Sequence, residues 1–287
     1  MIDAKTIKKM FAIDATPTIP LSLTDIPLQA QAMVGKMSIS GVQPKLSLHL
    51  NRHQAELVAV AEGGEYILKP QTQTYPHIPE NEDCCMSIAA ELDIEVPPHC
   101  LLPLKDSTLA YVIKRFDRIA QSKIHAETFY QILEKKEKYT GSLEEIGKKL
   151  REISAVPGLD VQLFFERAVL NFLIGNGDGH LKNYSIIWKE EGIRLAPAYD
   201  IVSTKLVIPT EEDSALALNG RKNKLTQEDF DALASQLEIP ERARYGKFAG
   251  KLGFISQLVR SSSLPASFKS KFIDIIKSRY ERLWRSV

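Results

Sequence analysis

The segment GNGDGHLKNYSI, residues 175–186, concentrates side chains that could do chemistry. Asp178 and Asn183 stand five positions apart within it, and Asp200 follows in the segment PAYDIVS. A hairpin predicted from NYSIIW and IRLAP around the turn KEEG would bring Asp200 back towards the other two side chains. Carboxylate and amide oxygens are hard ligands that suit Mg²⁺. These residues therefore predict a magnesium site beside a further carboxylate.

Protein kinases use the same order of residues, with an Asp that accepts the proton of the attacking hydroxyl and an Asn and a later Asp that hold magnesium. The N-terminal half offers parts that handle phosphate. Lys69 ends the predicted strand EYILK, and Glu82 near the start of the next helix could orient its ammonium. The loop GKMSISGVQPK, with Gly35 and Gly41, has small residues and hydroxyls that could approach phosphate oxygens. The set predicts phosphoryl transfer.

Each of these residues also has a plainer interpretation when it is taken alone. Asp178 could be an ordinary turn residue, and Asp200 could cap a helix. Lys69 could be a solvated lysine at the end of a strand. His180 could counter phosphate charge, or it could simply pack within the turn. The ordered set, rather than any single member, favours the kinase hypothesis.

These residues need a scaffold, and the pattern predicts strands first and helices afterwards. A helix predicted over 80–94 would cover one face of a five-stranded sheet. Alternating or apolar runs predict the five strands at 45–50, 55–60, 65–70, 100–104 and 109–116. After RFDR the main helix is LDVQLFFERAVLNFLIGN, with Asp160 placed to cap its start. The fold class predicted is α/β (α+β) and two-lobed. A β-rich lobe over 1–116 precedes a mostly helical lobe over 117–287.

Composition excludes several other classes of protein. The chain has 287 residues, of which 44% are hydrophobic and 25% charged, so it can bury a large core. A formal net charge of +1 predicts no direct binding of nucleic acid or of an anionic membrane. With no long apolar run and no signal peptide, a cytoplasmic protein is expected. Cys84, Cys85 and Cys100 do not have zinc-site spacing and are predicted to be reduced thiols.

The motifs, taken in order, resemble those of the HipA-like serine/threonine kinases of bacterial toxin–antitoxin systems. The matching segments are ILKP with ENE, KRFDR, GNGDGHLKNYSI and PAYDIVS, and SISGVQPK resembles the regulatory loop of that family. The resemblance covers roughly residues 34–205. It implies a two-lobed kinase-like fold of the HipA type that uses ATP and Mg²⁺.

The resemblance also implies a role for each matching residue. Lys69, with Glu82, would contact the ATP phosphates, and Phe116 would lie against adenine. Asp178 would be the catalytic base, and Asn183 and Asp200 would be magnesium ligands. Ser38, Ser40 and Gly41 would line the nucleotide, and Ser38 and Ser40 would be sites of autophosphorylation. Lys114 departs from the family, whose longer members tend to carry an acidic residue there.

The loop has a second serine, Ser40, and in this respect the sequence resembles the short HipT type of toxin from tripartite HipBST systems. Only 37 residues precede Ser38, fewer than in the longer HipA proteins. The resemblance therefore implies two partners, a HipS-like small protein and a HipB-like DNA-binding antitoxin. It implies an aminoacyl-tRNA synthetase as substrate and favours the tryptophanyl enzyme.

Three other functions remain open from the residues alone. A small-molecule or lipid kinase would suit the same Asp and Asn spacing. A catalytically silent co-repressor module would work with Asp178 and Asp200 replaced. A metal-dependent hydrolase using Asp178 and His180 is disfavoured because no second histidine stands at ligand spacing.

Overall fold

The computed structural model describes residues 3–32, 44–119 and 122–284. The chain divides into two compact units, Met1–Asp83 with Pro97–Ser122, and Cys84–Val96 with Lys123–Val287. The loop residues Gly35, Ser38, Ser40 and Gly41 lie outside the described residues. The lobe boundary after residue 116 stays a prediction.

The first unit is built on one antiparallel sheet. In chain order its elements are α1 (Ala4–Phe11), α2 (Asp25–Ala32), β1 (Leu46–Asn51), β2 (Glu56–Ala59), β3 (Tyr66–Pro70), the start of α3 (Ile78–Glu91), β4 (His99–Pro103), β5 (Leu109–Lys114) and β6 (Arg118–Ile119). The sheet has the strand order β2-β1-β3-β5-β4. The predicted five-stranded sheet is confirmed, and each predicted strand lies within a few residues of the observed one.

Two helices that no sequence pattern had indicated pack on this sheet. The side chain of Asp3 accepts the backbone N–H of Thr6 and caps α1 at 2.9 Å. Met10 and Phe11 are fully buried in the same hydrophobic cluster as Leu68. The sheet therefore gains an apolar cover from the N-terminal residues. The helix predicted over 80–94 is present as α3, and its packing on the sheet stays a prediction.

The second unit is mostly helical and contains a small sheet. In chain order its elements, after the end of α3, are β7 (Ser122–Lys123), β8 (Ala126–Thr128), α4 (Phe129–Ile132), α5 (Leu143–Ile153), α6 (Pro157–Leu173), β9 (Ser185–Lys189), β10 (Gly192–Leu195), α7 (Gln227–Gln236), α8 (Glu241–Arg244), α9 (Leu252–Ser261) and α10 (Ala266–Leu283). Strands β9 and β10 form the predicted hairpin, and β8 adds an antiparallel strand that was not expected. From β1 onward the predicted change from a strand-rich region to a helical one is observed, but α1 and α2 precede the first strand, which was not predicted.

Local sequence explains where the main helices begin. Ser142 and Glu145 form a reciprocal capping box that starts α5. Helix α6 begins with Pro157 in its first turn, so Asp160 lies inside the helix and does not cap it, contrary to the prediction. Instead, the fully buried Asp160 binds Arg194 at 3.0 Å. Among the described helices, none is both long and apolar enough to cross a membrane.

Candidate active site

A tight turn connects the end of α6 to β9, and two glycines make it possible. Gly175 has a φ of +71°, in the left-handed region that a side chain disfavours. A Cβ on Gly177 would lie 2.6 Å from the backbone oxygen of Glu212. The turn therefore depends on residues without side chains at both positions.

Side chains hold the backbone of this turn. The N–H of Gly177 donates to Oγ1 of Thr204 at 2.7 Å. The N–H of Asp178 donates to Oδ1 of Asn176 at 3.1 Å. Because a polar side chain accepts each of these N–H groups, the turn has a defined shape without regular secondary structure.

The two predicted magnesium ligands lie together. Nδ2 of Asn183 donates to Oδ2 of Asp200 at 2.6 Å, and Oδ1 of Asn183 accepts the N–H of His180 at 3.0 Å. Asp200 has a φ of +59°, an uncommon backbone conformation that is concentrated at functional sites. An amide oxygen has two lone pairs, so Oδ1 of Asn183 retains one for a cation. Mg²⁺ commonly takes one or two protein oxygens together with water and phosphate, and this pair fits that pattern.

The predicted catalytic base, Asp178, keeps an open carboxylate. Its side chain is 45% exposed. Oδ1 accepts a hydrogen bond of 2.7 Å from the hydroxyl of Tyr139, and Oδ2 lies 3.9 Å from Nε2 of His180. One carboxylate oxygen is therefore held, while the group as a whole remains accessible to a substrate.

His180 is buried beside this carboxylate. Burial lowers the pKa of His180, and the charge of Asp178 only partly opposes the shift. The imidazole is consequently neutral near pH 7, and its buried Nδ1 has no hydrogen-bond partner among the described residues. A neutral ring has no charge to set against phosphate, so nucleotide binding by His180 stays a prediction without electrostatic support.

Two residues near Asp178 were not predicted from the sequence. Tyr139 lies in the segment EKYTG, which has no helical or strand periodicity. Glu211 is the second residue. Burial and the nearby charge of Asp178 both raise the pKa of its carboxyl, and burial has the larger effect. A hydrogen bond with Thr204 partly opposes this rise. No local signal could have found either residue, because their proximity to Asp178 depends on the tertiary fold.

In the first unit, Lys69 and Glu82 form the predicted ion pair. Nζ of Lys69 lies 2.6 Å from Oε1 of Glu82, and the two side chains are 7% and 1% exposed. The ammonium also lies 5.8 Å from the ring centre of Tyr111, on the neighbouring strand β5. Strand β3 and helix α3 thus bring together the two residues that were assigned to phosphate binding.

Phe116 lies in the turn that follows β5 and is partly buried. The residues on either side hold this turn, because Arg115 binds both oxygens of Asp117 at 2.8 and 2.7 Å. Arg118 binds the same carboxylate at 2.6 Å. These contacts fix the backbone around Phe116, and its contact with adenine stays a prediction.

The described residues offer no larger cluster of metal-binding side chains. Among residues 3–32, 44–119 and 122–284, no group of three or more His, Cys, Asp or Glu side chains is arranged to hold a metal ion. The candidate cation site is therefore the pair formed by Asn183 and Asp200.

Comparisons with known proteins agree with the motifs. A family model described as the HipA-like C-terminal domain matches residues 37–251. A putative kinase, Y4dM of Sinorhizobium fredii, is 33% identical over 235 residues, which cover 75% of this chain and 57% of the relative. The serine/threonine-protein kinase toxin HipA of Shewanella oneidensis is 26% identical over 207 residues, 64% of this chain and 47% of the relative. The chain thus spans about half the length of these curated relatives.

A solved structure shares the fold. The HipA chain in the complex of Shewanella oneidensis HipA with HipB and operator DNA matches with a TM-score of 0.71. The match has 23% sequence identity and covers 98% of this chain and 71% of that chain. The predicted α/β fold of the HipA type is therefore confirmed.

Proposed function

This chain belongs to the family of HipA-like C-terminal domains, and on that premise we propose that it is a kinase that transfers the γ-phosphoryl group of ATP to a serine of a protein. The observation that carries the proposal is the catalytic turn. An accessible Asp178 carboxylate lies on the same short turn as Asn183, whose amide binds Asp200 at 2.6 Å. A phosphoryl-transfer site needs these oxygens in this order.

Each predicted site residue has a separate role in the proposed reaction. Asp178 accepts the proton of the substrate hydroxyl as the hydroxyl oxygen bonds to the γ-phosphorus, while the bond from that phosphorus to the β–γ bridging oxygen breaks and ADP leaves. Lys69, oriented by Glu82, binds the ATP phosphates. Asn183 and Asp200 would hold Mg²⁺, which would supply positive charge to balance that of the transferring phosphoryl group.

The biological role follows from the family resemblance. The chain is proposed to be the toxin of a bacterial toxin–antitoxin system, acting in the cytoplasm on an aminoacyl-tRNA synthetase, with the tryptophanyl enzyme favoured. A HipB-like DNA-binding antitoxin is the proposed partner, supported by the complex of the related HipA with HipB and operator DNA. The paired serines, Ser38 and Ser40, resemble the HipT type. They support a HipS-like partner and regulation by autophosphorylation, because the resemblance implies that this loop lines the nucleotide, where a phosphate would add negative charge.

Transfer of labelled γ-phosphate from ATP to purified tryptophanyl- and glutamyl-tRNA synthetases tests this proposal. We expect label on one synthetase, and a loss of about 10²- to 10⁴-fold in Asp178→Asn, because general-base catalysis contributes a factor of that order. Nucleotide binding should be nearly unchanged in that variant. The exposed Asp274 offers a matched control, and Asp274→Asn should retain full transfer.

The other outcomes separate the alternatives. Label on the chain alone would support a kinase with another target. Turnover of a metabolite in a protein-free assay would instead indicate a small-molecule kinase. If no label is transferred by protein that is unphosphorylated at Ser38 and Ser40, the proposal is wrong and the silent co-repressor module is favoured.

A further inference from the structure

The phenol of Tyr139 and the carboxylate of Asp178 form a specific contact. The hydroxyl donates to Oδ1 at 2.7 Å, across 39 positions of sequence. A hydrogen bond to an ionised acceptor is stronger and more directional than one between neutral groups. It occupies one carboxylate oxygen and leaves a side chain that is still 45% exposed.

Tyr139 is itself held in place. Its ring meets the ring of His180 edge-on, with centres 5.3 Å apart and an interplanar angle of 73°. The ammonium of Lys138 lies 4.7 Å from the ring centre of Tyr139. The backbone oxygen of Lys138 accepts the N–H of Leu181 at 3.1 Å, so this segment is joined directly to the catalytic turn.

The residues that follow Tyr139 are also anchored. Nζ of Lys222 donates to the backbone oxygen of Tyr139 at 3.4 Å, and the N–H of Ala217 donates to the backbone oxygen of Gly141 at 3.2 Å. Burial raises the pKa of Tyr139, and its hydrogen bond with Asp178 raises it further. The phenol therefore stays protonated at neutral pH and acts as a donor.

The terminal torsion of an aspartate is soft, so an unheld carboxylate samples a broad range of rotations. General-base catalysis requires an oxygen within hydrogen-bond reach of the hydroxyl proton in the reacting geometry. We propose that Tyr139 is a positioning residue that holds Oδ1 of Asp178 and thereby presents Oδ2 to the substrate hydroxyl. The inference rests on the proposed kinase function and adds a residue to it.

A competing role for Tyr139 would be a plug that excludes the substrate. A plug should cover the catalytic carboxylate, whereas the side chain of Asp178 is 45% exposed with Tyr139 in contact. The two roles also predict opposite effects of removing the hydroxyl. Loss of a positioning contact slows transfer, and loss of a plug accelerates it.

The test is Tyr139→Phe, which keeps the ring and removes the hydroxyl. We expect kcat to fall about ten-fold, the effect of losing one charge-assisted contact, with the KM for ATP nearly unchanged. Tyr130→Phe is a matched control in the same segment, because the hydroxyl of Tyr130 donates to the backbone oxygen of Lys136 at 3.1 Å. It should retain the wild-type kcat. An unchanged kcat in Tyr139→Phe, or an increased one, would overturn the positioning role.

A second measurement does not depend on activity. In protein labelled with ¹³C at the tyrosine ζ-carbon, Asp178→Ala should shift the resonance of Tyr139 and leave that of Tyr130 in place. An unmoved Tyr139 resonance would mean that the contact does not exist in solution, and the inference would fail. If the resonance moves but wild-type protein transfers no phosphate, the kinase proposal fails and the positioning role with it. If wild type and Tyr139→Phe transfer equally, only the positioning role is wrong.

Discussion

At the scale of single residues, the buried Lys69–Glu82 ion pair suits the proposed function but contributes little to the stability of the fold. Both side chains are almost completely buried, so both lose hydration on folding. A buried ion pair is a poor way to stabilise a protein, because apolar residues of similar size often do as well. Its presence on the strand and helix assigned to phosphate binding agrees with the proposed role of Lys69 on the ATP phosphates.

Substitutions at this pair should separate the two contributions. Lys69→Met and Glu82→Gln should each lower the free energy of unfolding by about 3 kcal/mol, because each breaks a buried ion pair by removing one of its charges. The double variant Lys69→Met/Glu82→Leu should recover much of that loss. Urea unfolding measures the stability, and phosphoryl transfer should be lost in the double variant despite its recovered stability. A fully active double variant would contradict the role of Lys69.

At the scale of elements, the turn between α6 and β9 requires a residue without a side chain at Gly177. The backbone of Glu212 comes so close to Gly177 that no side chain fits without a shift of the main chain. That approach keeps the turn against the residues that follow Asp200. The glycine therefore has a steric role in addition to any flexibility.

Gly177→Ala should destabilise the protein by about 1–3 kcal/mol, the usual range for forcing extra atoms into a packed site. Gly158→Ala is a matched control, because a Cβ there meets nothing within 4 Å and the residue lies in α6. Alanine should stabilise the helix at that position by about 0.5–1 kcal/mol. Thermal unfolding of both variants measures the difference. Equal effects of the two substitutions would refute the steric argument.

Patterns within one element predicted most of the fold. Alternating runs predicted the five-stranded sheet, and the run of apolar residues before Gly175 predicted α6. The start of α6 was misplaced because Asp160 resembles a cap by residue type, while its buried contact with Arg194 is invisible in the sequence. Helix α1 was missed although Asp3 caps it, since a helix of eight residues gives only a short periodic signal.

The candidate site could be predicted only in part. Asp178, Asn183 and Asp200 were predicted because their order and spacing resemble a known motif, and the structure places Asn183 against Asp200. Tyr139 was not, because the fold alone brings it to Asp178 from a segment without a pattern. Residues that support a site through tertiary contacts leave no mark on local sequence.

At the scale of the whole molecule, 37 basic and 36 acidic residues nearly cancel, so individual pairs matter more than net charge. Asp213 is one such group. Oδ1 lies 2.9 Å from Nη2 of Arg279, and Oδ2 accepts from Arg282 and from the N–H of Leu225. Burial raises the pKa of Asp213, but the hydrogen bond from Arg282 and the charges of both arginines outweigh it and hold the pKa below its usual value.

The lowered pKa of Asp213 predicts how acid will affect stability. Its contribution is present above the unfolded value of about 3.9 and is lost as the pH falls through the lower folded value. Asp213→Asn should therefore lower the free energy of unfolding by about 3 kcal/mol at pH 7, because the buried Arg279 and the partly exposed Arg282 lose their counter-charge. The difference from wild type should shrink below about pH 4. Urea unfolding at several pH values tests this, with Asp274→Asn expected to match wild type throughout. A difference that does not depend on pH would contradict the assignment.

The left-handed backbone of Asp200 has an evolutionary consequence. Single-nucleotide changes from an aspartate codon reach Asn and Gly, which tolerate a φ of +59° but lack the carboxylate. They also reach Glu, which keeps the charge, lengthens the side chain by one methylene and fits this conformation less well. Among these three replacements, none keeps a carboxylate of the same length in a residue type that favours this backbone. With the proposed role of this carboxylate as a magnesium ligand, each of these replacements is expected to lower activity.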